Sequence, residues 1–398
     1  MKIAKNSFWL LLARIGTQGM AALFTIILAR RLGSVGFGEY AVIAAILFVG
    51  NMLTTFGTDM SLIREIAARD DLSWIPAALL IQLALSLLFI LLLWFGSPFL
   101  LPRQSTESIL ALRIYSFALI PLSFFTVFTS TLRGKQFMGA YTWLNLIGAF
   151  VQLAVVWFCI IPGSSVMSLA WLLLVAQVII SCFGAVICNH RIHDFWRGWR
   201  ITSKGISTLV KISSPLAVLS VIAMLYQKAG ILMISSIGGS AMTGFFSVAQ
   251  RMVEAGKTAH VAAFTALYPA MAQSKDETFR LPWILLLVGA GIGAVFLSVL
   301  AIPLTRILFG VEYEASVPAL QILAWILIPY TVSSFLVLKF VASNQEMPVL
   351  RASLMSLVLL ISLGLWWIPR DGLSGASGSA LVAESVQAVL LFWQWRAK

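Results

Sequence analysis

The stretch Trp74–Phe95, WIPAALLIQLALSLLFILLLWF, runs for 22 residues without a charged side chain. At ~1.5 Å per residue a helix of that length spans a hydrocarbon core of about 30 Å. Lipid offers no partner for backbone N–H and C=O groups, so the run must satisfy them internally, as a helix. Similar runs recur on both sides of it. Twelve spans are predicted, over residues 8–28, 40–62, 74–95, 109–132, 141–161, 166–188, 212–235, 245–272, 281–302, 315–338, 348–368 and 376–395. The N-terminal run carries Arg14 and lacks a small-residue cleavage site, so it reads as the first span and not as a signal peptide. The fold class is therefore all-α, a polytopic membrane protein.

Composition points the same way. Of 398 residues, 60% are hydrophobic and 11% charged, where a soluble domain carries about 25% charged residues. The net charge of +12 sits in short loops between apolar runs, which is how membrane proteins are oriented and not how a nucleic-acid groove is built. Such loops also suit anionic lipid headgroups. Counting Lys and Arg with the N-terminus inside puts 17 on the cytoplasmic side and 6 outside (Arg30, Arg31, Arg103, Arg113, Arg306 and Arg370). That bias predicts a multi-pass protein of the bacterial cytoplasmic (inner) membrane with both termini in the cytoplasm.

The chain repeats itself. Gly33–Val42 (GSVGFGEYAV) matches Gly239–Val248 (GSAMTGFFSV) at an offset of 206, LIP at 119–121 matches LIP at 327–329 at 208, and Ile161-Pro162 recurs as Ile368-Pro369 at 207. These matches predict two six-helix halves, residues 1–188 and 212–398, joined by a basic cytoplasmic linker over 189–211. Even-numbered halves enter the membrane in the same sense, so a pseudo-two-fold axis along the membrane normal is expected, with a site between the halves. Pro121 and Pro329 predict paired kinks. Gly33, Gly36 and Gly38 read as a short loop whose glycines permit a tight turn.

Charges inside spans are the most informative positions, because each costs about 2.5–3.5 kcal/mol at the bilayer centre. The cations are Arg14, Lys228, Arg251 and Lys257, and the acids are Asp59, Glu254 and Glu384. Gln250, Arg251, Glu254, Lys257 and Thr258 follow helical spacing along the eighth span. Asn51, Thr55, Thr58 and Asp59 do so on the second, and Arg14, Thr17, Gln18 and Thr25 on the first. Three polar stripes on paired elements predict a water-filled cavity. Arg251, Glu254 and Lys257 are also spaced to neutralise one another on one helix.

Other chemistry is excluded. Gly256-Lys257-Thr258 lacks the glycine a P-loop needs at position 251, and no strand precedes it. Cys188, His190, His193 and Asp194 meet a basic loop with no second ligand pair, so no metal site is expected. The three cysteines, Cys159, Cys182 and Cys188, have no disulfide framework spacing. No nucleophilic or acid–base set can be assembled, and no cofactor or ATP site is expected. Uphill movement would draw on an ion gradient, the membrane potential or consumption of the product.

An Asn at position 6 precedes the first span, which runs into RRLGSVGFGEYAV (Arg30–Val42), with a weaker echo around Ile237–Val248. This pattern resembles the polysaccharide transporter family, whose superfamily also contains multidrug and toxin extruders and lipid II flippases. The resemblance implies a flippase, not an enzyme, moving undecaprenyl-pyrophosphate-linked oligosaccharide for O-antigen-type lipopolysaccharide or another surface polysaccharide, beside polysaccharide assembly proteins. It implies a cavity lined by cations that meet the pyrophosphate, with Arg14 and Arg251 on helices that supply such cations in relatives, and the in-span cations Lys228 and Lys257 are expected to join them. Gln18, Asn51 and Gln250 would face sugars, and Asp59, Glu254 and Glu384 are candidates for ion coupling. Lys228 departs from relatives, which often carry an acid there. The alternative is a multidrug extruder coupled to H⁺ or Na⁺. A membrane glycosyltransferase or polymerase would need larger outer loops than this chain has.

Overall fold

A computed structural model describes residues 2–192, 195–196, 199, 202–273, 280–343 and 345–396. Among the described residues all regular structure is helical. In chain order the α-helices are α1 (Lys2–Thr55), α2 (Thr58–Arg69), α3 (Ile75–Leu100), α4 (Thr106–Ser116), α5 (Leu119–Gly134), α6 (Met138–Cys159), α7 (Val166–Arg191), α8 (Ser203–Gln273), α9 (Arg280–Val299), α10 (Ala301–Leu308), α11 (Val317–Ala324), α12 (Leu327–Ala342) and α13 (Glu346–Arg396). A short 3-10 turn, Val311–Ser316, precedes α11.

A straight 54-residue helix such as α1 would measure about 80 Å, far longer than a hydrocarbon core. The chain solves this with single glycines. Gly33 (φ 69°) breaks α1, Gly239 (φ 78°) breaks α8 and Gly372 (φ 55°) breaks α13. Among the described residues six helices are long and apolar enough to span, or nine where each of three bent pairs counts as one span. Each of the three long ones breaks at its glycine into two arms long enough to cross, so among the described residues the helices fit the expected twelve spans.

The repeat is visible in the backbone. Gly33 has φ 69° and ψ 179°, and Gly239, 206 positions on, has φ 78° and ψ −171°. This is a region that essentially only glycine enters. The LIP motifs match as well. α4 and α5 meet at a 40° bend, and the helical stretch over 311–324 meets α12 at 45°. Pro121 and Pro329 each stand third in the second helix of their pair. Each lacks the N–H that would reach the carbonyl four residues back, and its ring pushes that carbonyl away. Those carbonyls, on Phe117 and Trp325, take shorter-range bonds instead, from Ile120 N at 3.1 Å and Ile328 N at 3.3 Å. The kink is therefore the break between the two helices.

The chain divides into two compact units. The first is Met1–Leu32 with Val42–Met224, and the second is Gly33–Ala41 with Leu225–Lys398. Phe128, Leu132, Leu144 and Cys188 form the core of the first, joined by Phe195 and Leu209 from the basic stretch after α7. The second is centred on Phe335, Leu336, Phe340, Ala352 and Leu391.

Gly36 and Gly38 correct the sequence reading, because they lie in helix and not in a loop. Gly38 serves a close crossing. A Cβ on it would stand 1.8 Å from the Ser240 carbonyl oxygen, and one on Gly244 would stand 2.1 Å from the Ser34 carbonyl oxygen. Ser34 and Ser240, like Gly38 and Gly244, are repeat equivalents, so the contact is reciprocal. That reciprocity is the signature of a two-fold relation, and small residues of this kind let membrane helices approach.

Glu312 reinforces the crossing. Its Oε1 accepts from Ser34 N at 2.6 Å, so a carboxylate caps the helix that restarts after Gly33, where a negative charge is favourable. The neighbouring Tyr313 is 1% exposed, with Phe37 and Phe245 edge-on at 6.4 and 6.1 Å. Glu312→Ala is expected to destabilise the protein by about 1 kcal/mol, read as a lower melting temperature in detergent.

The second-span stripe is also corrected. Phe56 (φ 50°) and Gly57 (φ 66°) are left-handed and end the helix, so Asn51 and Thr55 share no continuous face with Thr58 and Asp59. The cause is packing, since a Cβ on Gly57 would meet Ser213 O at 2.9 Å and Ala217 N at 3.0 Å.

Candidate functional site

The polar cluster of the second unit is built on α8 beyond Gly239. Positions 250, 251, 254, 257 and 258 repeat at helical spacing, so their side chains stack along one side. Glu254 is the hub. Its Oε1 accepts from Gln250 Nε2 at 3.1 Å and its Oε2 from Arg251 NH1 at 3.3 Å. Gln250 Nε2 also reaches Gln227 O at 3.5 Å. The Arg251 and Glu254 side chains remain 46% and 30% exposed.

Lys228 enters from the part of α8 before Gly239. It is 9% exposed, and its ammonium lies in the attractive field of Glu254 and the repulsive field of Arg251. Lys257 Nζ stands 4.5 Å from the centroid of the Tyr330 ring, a cation–π contact that holds the charge over a polarisable face. The Thr258 hydroxyl donates to Glu254 O at 2.9 Å. On α13, Glu384 is 6% exposed and accepts from Tyr226 OH at 3.0 Å. Three in-span cations, Lys228, Arg251 and Lys257, therefore lie along α8 with Glu254 as its single acid, and the second in-span acid of this unit, Glu384, is hydrogen-bonded to a tyrosine.

Arg14, Gln18, Asn51 and Asp59 belong to the first unit. Arg14 and Gln18 are exposed on α1. Thr17 and Thr25 turn their hydroxyls onto their own helix, to Ala13 O at 2.7 Å and Ala21 O at 2.8 Å. Asn51 is half-buried, and its carbonyl accepts from Thr54 and Thr55 at 3.2 and 2.5 Å. Asp59 stands in the first turn of α2, where the helix dipole favours an acid. Buried Gln82 donates to Thr58 Oγ1 at 2.8 Å.

The sequence reading missed Tyr226 and Tyr330. An aromatic in an apolar run reads as core or interface. The available signals were position, because Tyr226 lies two residues before Lys228 and Tyr330 directly follows the repeated LIP. His193 and Asp194 lie outside the described residues. Among the described residues no three metal-capable side chains gather, and the Cys188 thiol is buried, donating to Phe128 O at 3.8 Å.

Solved structures share this fold at low identity. The chain is similar to the lipid II flippase MurJ in an inward closed conformation (TM-score 0.80, 14% identity, 99% of this chain and 87% of that one). It is also similar to an inward-facing multidrug resistance MATE family transporter of the MOP superfamily (TM-score 0.74, 15% identity, 96% and 94%). A third is a MOP superfamily transporter from Pyrococcus furiosus, whose description reports reverse polarity of the binding pocket (TM-score 0.67, 16% identity, 100% and 95%). No curated protein matches the sequence. A family profile described as "Polysaccharide biosynthesis protein" matches residues 3–275. With about two-thirds of its length matched by that profile, the chain belongs to the polysaccharide biosynthesis protein family.

Proposed function

We propose that the protein is a flippase that carries undecaprenyl-pyrophosphate-linked oligosaccharide across the bacterial cytoplasmic membrane, for a surface polysaccharide of the O-antigen type. The observation that carries this reading is the excess of cations on α8, with Lys228, Arg251 and Lys257 set against Glu254 in spans where each charge is costly. A polyprenyl tail is at home in hydrocarbon, but a pyrophosphate with sugars is not. Cations bordering a hydrated chamber would hold the phosphates by charge-assisted hydrogen bonds. Gln18, Asn51 and Gln250 would face the sugars, and Arg14 would supply charge from the first half. The two halves would then expose the headgroup to each side in turn, which transports because binding is coupled to two states. The protein performs no bond chemistry in this scheme.

The test is reconstitution in proteoliposomes holding the lipid-linked oligosaccharide in both leaflets. Protein-dependent access of an external glycosidase to the inner-leaflet pool supports the proposal. Access equal to that of empty liposomes overturns it.

A second reading, a cation-coupled multidrug extruder, draws on the buried Glu384 carboxylate and on the likeness to a MATE transporter. It is separated by a drug-sensitivity profile of a deletion strain, which the flippase reading expects to match wild type. The orientation is tested in a cysteine-free background. Cysteine at position 103 should react with an impermeant maleimide from outside, and cysteine at position 135 only after permeabilisation.

A further inference from the structure

The carboxylate of Glu254 occupies the point on which the polar donors of α8 converge. One oxygen takes Gln250 Nε2 at 3.1 Å, the other takes Arg251 NH1 at 3.3 Å, and Lys228 is buried on the same element. An anionic oxygen of a ligand, held by these donors, would stand where these carboxylate oxygens stand. We infer that Glu254 is a resident counter-anion, which the substrate's phosphate displaces from Arg251 and Gln250 on binding and which returns when the substrate leaves. This rests on the flippase reading and adds a residue that sets the strength of headgroup binding.

The physical case is a competition between two anions for one set of donors. Arg251 and Glu254 form a half-exposed i,i+3 pair through a single contact, and such pairs are weak. The guanidinium keeps most of its five N–H donors, and a phosphate with several oxygens can accept two in parallel, a stronger arrangement than the one Glu254 makes. Exchange therefore favours the substrate while it is present. Without Glu254, Lys228 and Arg251 would repel each other with that acid gone, and an incoming anion would relieve that repulsion. It would be held more tightly and released more slowly. A carboxylate that reclaims Arg251 makes release easier, as a carrier requires.

The experiment measures binding of farnesyl pyrophosphate to the purified full-length protein in detergent, with turnover of the same variants in proteoliposomes. Glu254→Gln keeps the shape and the Gln250 contact but removes the charge. It is expected to bind the probe at least about tenfold more tightly, a gain of about 1.4 kcal/mol, while turnover falls. Arg251→Gln is expected to bind more weakly. Glu254→Asp, which withdraws the carboxylate from Arg251 by one methylene, is expected to bind more tightly than wild type and serves if Glu254→Gln does not fold. Unchanged or weaker binding in the folded Glu254 variants, with Arg251→Gln still impaired, overturns the displacement and leaves the flippase reading standing. Wild-type binding in every variant overturns both.

Discussion

Gly38→Ala is expected to leave little folded protein in the membrane. The added Cβ would stand 1.8 Å from the Ser240 carbonyl oxygen and 2.8 Å from Gly244 N. Both are backbone atoms inside helices, so no side chain can swing aside to relieve the clash. Overpacking of this kind costs ~3 kcal/mol, a large share of the stability of any protein. Gly244→Ala should do the same, because its Cβ would stand 2.1 Å from the Ser34 carbonyl oxygen. Gly96→Ala is the control, with nothing within 4 Å of the added carbon. The measurement is the monodisperse peak of detergent-extracted protein together with its melting temperature. Loss in both crossing variants, with Gly96→Ala near wild type, supports the reciprocal contact. A well-folded Gly38→Ala would show that the two repeat segments do not cross as described.

Arg251→Ala and Arg14→Ala are expected to lower flipping at least tenfold each without changing insertion. A hydrogen bond to a charged group contributes about 1.5–3 kcal/mol, and every 1.4 kcal/mol is about a factor of ten. Arg251 is half-exposed and its ion pair with Glu254 lies along its own helix, so its removal breaks little tertiary structure. Arg14 is exposed on α1, where truncation opens no core cavity. Transport in proteoliposomes reads the effect, and extraction yield confirms insertion. Wild-type transport in both variants would remove these arginines from the mechanism.

Much of this architecture is legible in the sequence because its causes are local. The length of an apolar run sets a crossing. Gly33 and Gly239 announce themselves through the repeat, and Pro121 and Pro329 bend their helices through an N–H that neither has. The role of Gly38 was not legible. A tight turn and a close helix crossing both demand the absence of a Cβ, and only the position of Ser240 decides between them. Nor was the break at Phe56–Gly57, since it follows from the approach of Ser213 and Ala217, more than 150 residues away.

The site divides in the same way. Helical periodicity alone places Gln250, Arg251, Glu254 and Lys257 on one side of α8. That Lys257 lies over Tyr330, and that Glu384 takes its hydrogen bond from Tyr226, depends on the packing of α12 and α13 against their neighbours. Aromatic residues in apolar spans carry no mark that distinguishes such partners from lipid-facing rings.

The most direct test of the central claim is depletion of the protein in its host, followed by assignment of the lipid-linked oligosaccharide to a leaflet. If the cations serve to carry an anionic headgroup outward, the intermediate accumulates facing the cytosol and surface polysaccharide is lost. Normal surface polysaccharide with no cytosol-facing accumulation would contradict the account.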